Sequence, residues 1–286
     1  VRREGNWTDY DDQLNLRVRR GRRLRGIDLD LGHPRHAQEL DRIARAAGWT
    51  GSVQVGIPSD LDMALFTLGP TGPLRHRGAF TDATTRHITE IRQQLGDRAV
   101  FQLEAPAEQV VVIKTPAVLR GFTAAWCGRG LARLARPSPV GTRFGLHLCL
   151  GDLGHRALAG TPSTAPLVTL TNAVARAWPA GRRLEFVHLP LAAGHLPPTL
   201  DPAFHAPLAG LRLPVGTRVV AGFLHEELTD EQCDQLLATV EDAVGATVDV
   251  AASCGLGRRS VAAAETTLAQ GARLCSLPVS PEAEAF

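Results

Sequence analysis

Phe144-Gly145-Leu146-His147-Leu148-Cys149-Leu150-Gly151-Asp152 reads as a strand that runs into a glycine-containing loop. Side chains two apart on a strand share a face, so His147 and Cys149 project together at its C-terminal end. An imidazole beside a soft thiolate suits zinc. About a hundred residues later, Ser253-Cys254-Gly255-Leu256-Gly257-Arg258-Arg259 is a second cysteine-bearing loop of similar character.

Outward from this strand the chain alternates. Apolar spacing predicts helices over 36–47, 81–95, 116–134, 166–178, 230–244 and 259–271, with a shorter one at 203–209. Between them, 52–58, 99–104, 142–149, 183–188, 218–224 and 247–252 read as strands, and 273–277 as a short last one. Such alternation specifies a parallel sheet with right-handed crossovers. The expected architecture is α/β, a (β/α)8 TIM barrel over residues 36–278. Six βα units are plain, so the first units are expected to be irregular within 1–35, absent, or supplied by another chain; a doubly wound open sheet is the alternative. Residues 279–286 read as a loose tail.

Composition narrows the class. Apolar residues make up 44% of the 286 and charged residues 21%, typical of globular proteins, and the net charge of +2 makes no whole-chain case for a nucleic acid or membrane partner. The basic run from Arg17 to Arg25 has acidic residues on both sides and reads as a solvated face rather than a phosphate site. Five cysteines are an odd, sparse set, unlike a secreted disulfide framework, and point to a reducing cytoplasm. Cys127, Cys233 and Cys275 fall in predicted helices or near the last strand and read as structural.

In a barrel, chemistry gathers at the C-terminal ends of the strands. Those ends here carry Glu104, His147 with Cys149, His188, His225 with Glu226, and Cys254. Recurrence at one end of successive strands outweighs any single residue, since a lone cysteine or histidine is ordinarily structural.

The segments FGLHLCLGD, LEFVHLP, AGFLHEE and CGLGRR together resemble the catalytic barrel of cobalamin-independent methionine synthase and its smaller stand-alone relatives, within the uroporphyrinogen decarboxylase/methionine synthase-like superfamily. The resemblance implies a zinc-dependent methyl or alkyl transferase that activates a substrate thiol. It implies His147, Cys149 and Cys254 as zinc ligands, with a methyl-folate as donor and a small thiol or amino-acid-like molecule as acceptor. The family's fourth ligand is a glutamate on the following strand. Here the matching strand end is His188, and Glu185 lies three residues earlier, so His188 is the expected ligand. Glu104 takes the place of an aspartate that meets the substrate's ammonium group. Arg258 and Arg259, where a Gly-rich loop enters a helix, are expected either to hold a substrate carboxylate or phosphate or to be solvated residues of the first turn; His225 or Glu226 is expected to act as acid or base, and Asp152 to orient a ligand histidine. The competing expectations are a metal-independent decarboxylase or lyase on the same barrel, and a non-catalytic barrel subunit. A homo-oligomer or a partner subunit would complete the missing units.

Overall fold

The computed structural model describes residues 16–277. The polar, aromatic stretch of residues 5–12 and the expected tail at 279–286 lie outside the described residues. The described strands are β1 (Val53–Pro58), β2 (Ala99–Ala105), β3 (Arg143–Leu148), β4 (Arg183–Pro190), β5 (Arg218–Leu224) and β6 (Asp249–Ala252). They form one parallel sheet in the order β1-β2-β3-β4-β5-β6. The helices are α1 (His33–Ala46), α2 (Asp60–Leu68), α3 (Gly72–Leu95), α4 (Pro106–Lys114), α5 (Ala117–Ala135), α6 (Ala165–Ala177), α7 (Pro202–His205), α8 (Asp230–Val244) and α9 (Val261–Cys275).

Six of the eight expected strands are present among the described residues. Among the described residues the sheet is a six-stranded half-barrel, barrel-like but without closure from β6 back to β1. Residues 16–32 contain no strand. They form an arm laid on α3, where the Arg86 guanidinium donates to the Gly26 and Leu29 carbonyls. Most of its arginines are exposed, and Arg25 is paired with Asp28.

Alternation along the strands explains the layering. Val53, Val55 and Ile57 of β1, Phe101 and Leu103 of β2, Phe144 and Leu146 of β3, and Val219, Ala221 and Phe223 of β5 are buried. All but Val53 belong to one continuous core with the helices. The intervening residues, Gln54, Gln102, Glu104, His147 and His188, occupy the other, concave face. Strands of a closed parallel barrel are apolar on both faces; here Gln54 is exposed and its side-chain amide donates to Gln102. The concave face is therefore polar.

Two sequence boundaries change. Residues 273–277 are not a strand: α9 runs to Cys275, because Thr267, Gln270 and Leu274 continue one buried stripe at helical spacing. The third helix begins at Gly72 rather than near Thr81, since nothing between Pro73 and Thr81 breaks it. Elsewhere local chemistry sets the ends. Thr229 and Gln232 form a reciprocal capping box that starts α8, and Ser260 caps α9.

At the strand ends of β1 and β2, a polar cluster is enclosed by α2, α3, α4 and α5. Glu108 is wholly buried, accepts from the Ser59 hydroxyl at 2.9 Å, and has its carboxyl pushed up to about 7 by burial. In the unfolded chain it ionises near 4.5. The proton that native Glu108 retains therefore stabilises the fold fully below that value, and the contribution is lost as pH rises through about 7. Glu108→Gln removes this dependence. Relative to the parent, it is expected to gain about 3 kcal/mol between roughly pH 4 and pH 8, read by urea unfolding at both ends. Parallel pH profiles for the two proteins would contradict this.

Candidate metal centre

Register places the key residues in one row. Glu104 on β2 pairs with His147 on β3, and His147 pairs with His188 on β4. All three side chains meet on the concave face near the C-terminal ends of their strands. Cys149 lies just beyond β3 and Cys254 just beyond β6, so curvature of the sheet brings them together across the row. Small residues make the space. A Cβ on Gly222 of β5 would lie 2.6 Å from His188 Nε2, and one on Gly56 of β1 would lie 2.6 Å from Glu104 Oε1.

His147, Cys149 and Cys254 each offer a ligand atom, all within 4.8 Å of one another. The two sulfurs are 3.7 Å apart. Two thiolates on a tetrahedral zinc, each about 2.3 Å from the metal, are separated by about 3.8 Å. Burial pushes the His147 ring well below its ordinary range, with the neighbouring His188 adding to the effect, and brings His188 down to about 4. Both imidazoles are thus neutral, the form that ligates metal. The two sulfurs share a hydrogen bond, which with burial holds the Cys149 thiol well above its ordinary range and brings the Cys254 thiol below it. Donor set and spacing fit zinc.

His188 stands differently from the expectation. It is not among the three converging donors; its Nδ1 lies 2.7 Å from His147 Nδ1, a direct hydrogen bond between the rings. The alternative ligand, Glu185, sits at a register shift between β3 and β4 and accepts from Nε and Nη2 of Arg143 at 2.6 and 2.9 Å. Its carboxylate is committed to that pair.

A cavity of about 850 Å³ opens over the row, lined by Glu104, His147, Cys149, His188, Cys254 and Arg258 among others. Burial raises the Glu104 carboxyl, and a weak hydrogen bond from Gln102 offsets part of the shift. Arg258 is half-exposed at the rim, with Nη1 3.6 Å from Asp152. Cys275, expected to be structural, is exposed and also lines this cavity, whereas Cys127 and Cys233 are core residues.

Asp152, His225, Glu226 and Arg259 do not line the cavity. They surround Gly194 in the loop after β4. Arg259 is fully buried, donates to Glu226 at 2.8 Å and reaches the Gly194 carbonyl at 3.3 Å. His225 accepts from the Glu227 backbone N–H and lies 3.6 Å from Glu226. Asp152 faces His155 and Arg258, and the hydrogen-bond partner of His147 is His188, so the group placed to orient the His147 ring is His188 rather than Asp152. Nothing in the sequence marked Gly194. A Cβ there would lie 2.1 Å from Asp152 Oδ1 and 3.0 Å from His155 Nδ1. Gly194→Ala is expected to cost about 1–3 kcal/mol by overpacking, measured as a lower urea midpoint. An unchanged midpoint would show that the loops part freely.

A solved structure similar to this chain is that of a B12-independent methionine synthase from Shewanella sp. W3-18-1 in complex with selenomethionine. The TM-score is 0.53 with 14% identical residues, over 84% of this chain and 66% of that one, just under two thirds of its length. The likeness is one of fold. No family model and no curated protein matches the chain.

Proposed function

We propose that this chain is a zinc-dependent transferase that moves a methyl or alkyl group to a thiol. The observation that carries the reading is the His147–Cys149–Cys254 triad, with its zinc-compatible sulfur spacing, at the floor of a cavity. Three protein ligands with a remaining open position are the pattern of catalytic rather than structural zinc. Bound there, zinc supplies the charge that keeps a coordinating substrate thiol deprotonated at neutral pH.

The remaining steps belong to the chain. With zinc on His147 Nε2, the Nδ1 proton of His147 would be donated to His188 Nδ1, which would fix the His147 tautomer. Glu104 and Arg258, on opposite parts of the cavity wall, receive cationic and anionic ends of an amino-acid-like acceptor. The Arg259–Glu226 pair, with His225, clamps the Gly194 loop and holds the Asp152 segment behind Cys149. The reaction forms a sulfur–carbon bond as the donor's bond to the same carbon breaks. An activated methyl compound, of which a methyl-folate is one, would occupy the rest of the cavity.

The test is metal analysis of protein purified with zinc present, followed by zinc-edge absorption spectroscopy. About one zinc per chain with two sulfur ligands is expected. Metal-free protein, or a shell of nitrogen and oxygen only, overturns the reading.

A further inference from the structure

The balance of +2 hides a strong asymmetry. Residues 109–184 hold ten arginines and lysines and a single acidic residue, Asp152, which is buried. The rest of the chain is therefore net acidic. Helix α5 lies within the basic stretch, and its outer face is divided lengthwise. Val118, Phe122 and Trp126 follow one another at helical spacing and are exposed, Val118 by 91% and Phe122 by 75%. The same stripe continues through Arg129, Arg133 and Arg136, all exposed. Leu119 widens the apolar half. So does α3, whose Arg77 lies over the Trp126 ring at 5.1 Å and whose exposed Leu74 is one turn earlier.

Exposed apolar residues this large and this contiguous mark an interaction face. A helix lying on a bilayer presents Trp, Phe and Leu on one side with arginines beside them, and its strength comes from apolar burial plus attraction to anionic lipid. We propose that the outer face of α5, with the start of α3, docks on an anionic membrane surface, the Val118–Trp126 end entering the interface and the Arg129–Arg136 end meeting the headgroups. The expectation of no membrane partner rested on whole-chain charge, which this distribution does not follow.

Other occupants fit less well. Phe122 is a lone uncovered aromatic on this face, since Arg77 lies over the Trp126 ring and Val118, Leu119 and Leu74 are aliphatic, so successive bases have no row of rings to stack on, which disfavours nucleic acid. Two-fold self-pairing would lay arginines against arginines or against the apolar end. No helix among the described residues is long and apolar enough to cross a membrane, so the contact would be with one leaflet.

The test is co-sedimentation of the full chain with phosphatidylcholine vesicles and with vesicles that also contain phosphatidylserine, at low and raised salt. Binding that requires phosphatidylserine and weakens with salt is expected. Val118→Glu with Phe122→Glu should abolish it, and Arg129→Gln and Arg136→Gln should each reduce affinity roughly fivefold. Circular dichroism checks folding. Should the double glutamate variant unfold, the arginine variants alone decide, since both sites are at the surface. The proposal is overturned by equal binding to both vesicle types, by no binding, or by arginine variants that bind like the parent. A concentration-dependent dimer that Phe122→Glu dissolves, without vesicle binding, would give the face to a second copy and overturn it as well.

Discussion

Cys149→Ser and Cys254→Ser are each expected to reduce bound zinc from about one per chain to a small fraction of that. The thiolates supply the negative charge of the triad, and a serine hydroxyl stays protonated and holds zinc poorly. His188→Ala should behave differently. As the hydrogen-bond partner that orients His147, its loss is expected to weaken zinc about 10–100-fold, the usual effect of removing such a partner, while leaving one zinc bound when metal is in excess. Competition against a chromophoric chelator reads both effects on the same scale. Cys127→Ser and Cys275→Ser are the controls and should keep parental affinity, since neither sulfur belongs to the triad. If Cys254→Ser keeps its zinc, the reading fails. If His188→Ala loses zinc as completely as Cys149→Ser does, His188 is itself a ligand, and the acceptor thiol would have to enter as an additional or exchanged one.

What the sequence made legible follows from what periodicity can carry. Alternation is plain in β1 and the end of β2, while β3 and β4 are short, largely apolar runs, and with the helices between them this made the strands and their parallel direction legible. Barrel closure was not legible, because it depends on residues outside any one strand. A hint was nevertheless present. Gln54, Gln102 and Glu104 form a polar row where a packed barrel interior would be apolar, and the structure shows that row on an open face. The expectation at His188 turns on detail of the same kind: its Nδ1 lies against His147 Nδ1 rather than among the three converging donors. Strand alternation gives the face of a side chain but not whether its nitrogen meets a metal or a neighbouring ring. Glu185 was placed by simple alternation, and the register shift beside it is invisible in sequence. Arg259 reads as an anion-binding arginine at a helix start, yet its side chain is buried against Glu226 and the Gly194 loop, the latter a contact between residues 65 apart. The strand expected at 273–277 failed because its short apolar run also fits the continuing stripe of α9.

Asp60→Asn is expected to destabilise the fold by about 3–5 kcal/mol, because it removes one partner of a buried ion pair and leaves the other uncompensated. Asp60 begins α2 with its carboxylate fully buried. One oxygen accepts from Arg77 of α3 at 2.7 Å; the other accepts from the Thr81 hydroxyl at 2.6 Å and from Arg133 of α5 at 3.0 Å. Three helices thus converge on one charge. Their sites are unequal, which makes the cost predictable. Arg133 is half in solvent and can rehydrate, so losing it should matter little. Arg77 is only 12% exposed, and Gly130 of α5 gives it room: a Cβ there would lie 2.4 Å from Nη2. An asparagine keeps the shape but returns no charge to this enclosed guanidinium. Arg77→Met in the Asp60→Asn background should therefore recover part of the loss, because it replaces the orphaned cation with an apolar chain of similar length. Urea unfolding of the two single variants and the double variant measures the coupling. Simple additivity would show that Arg77 finds water when Asp60 is gone, and that the carboxylate is not what holds α3 to α2.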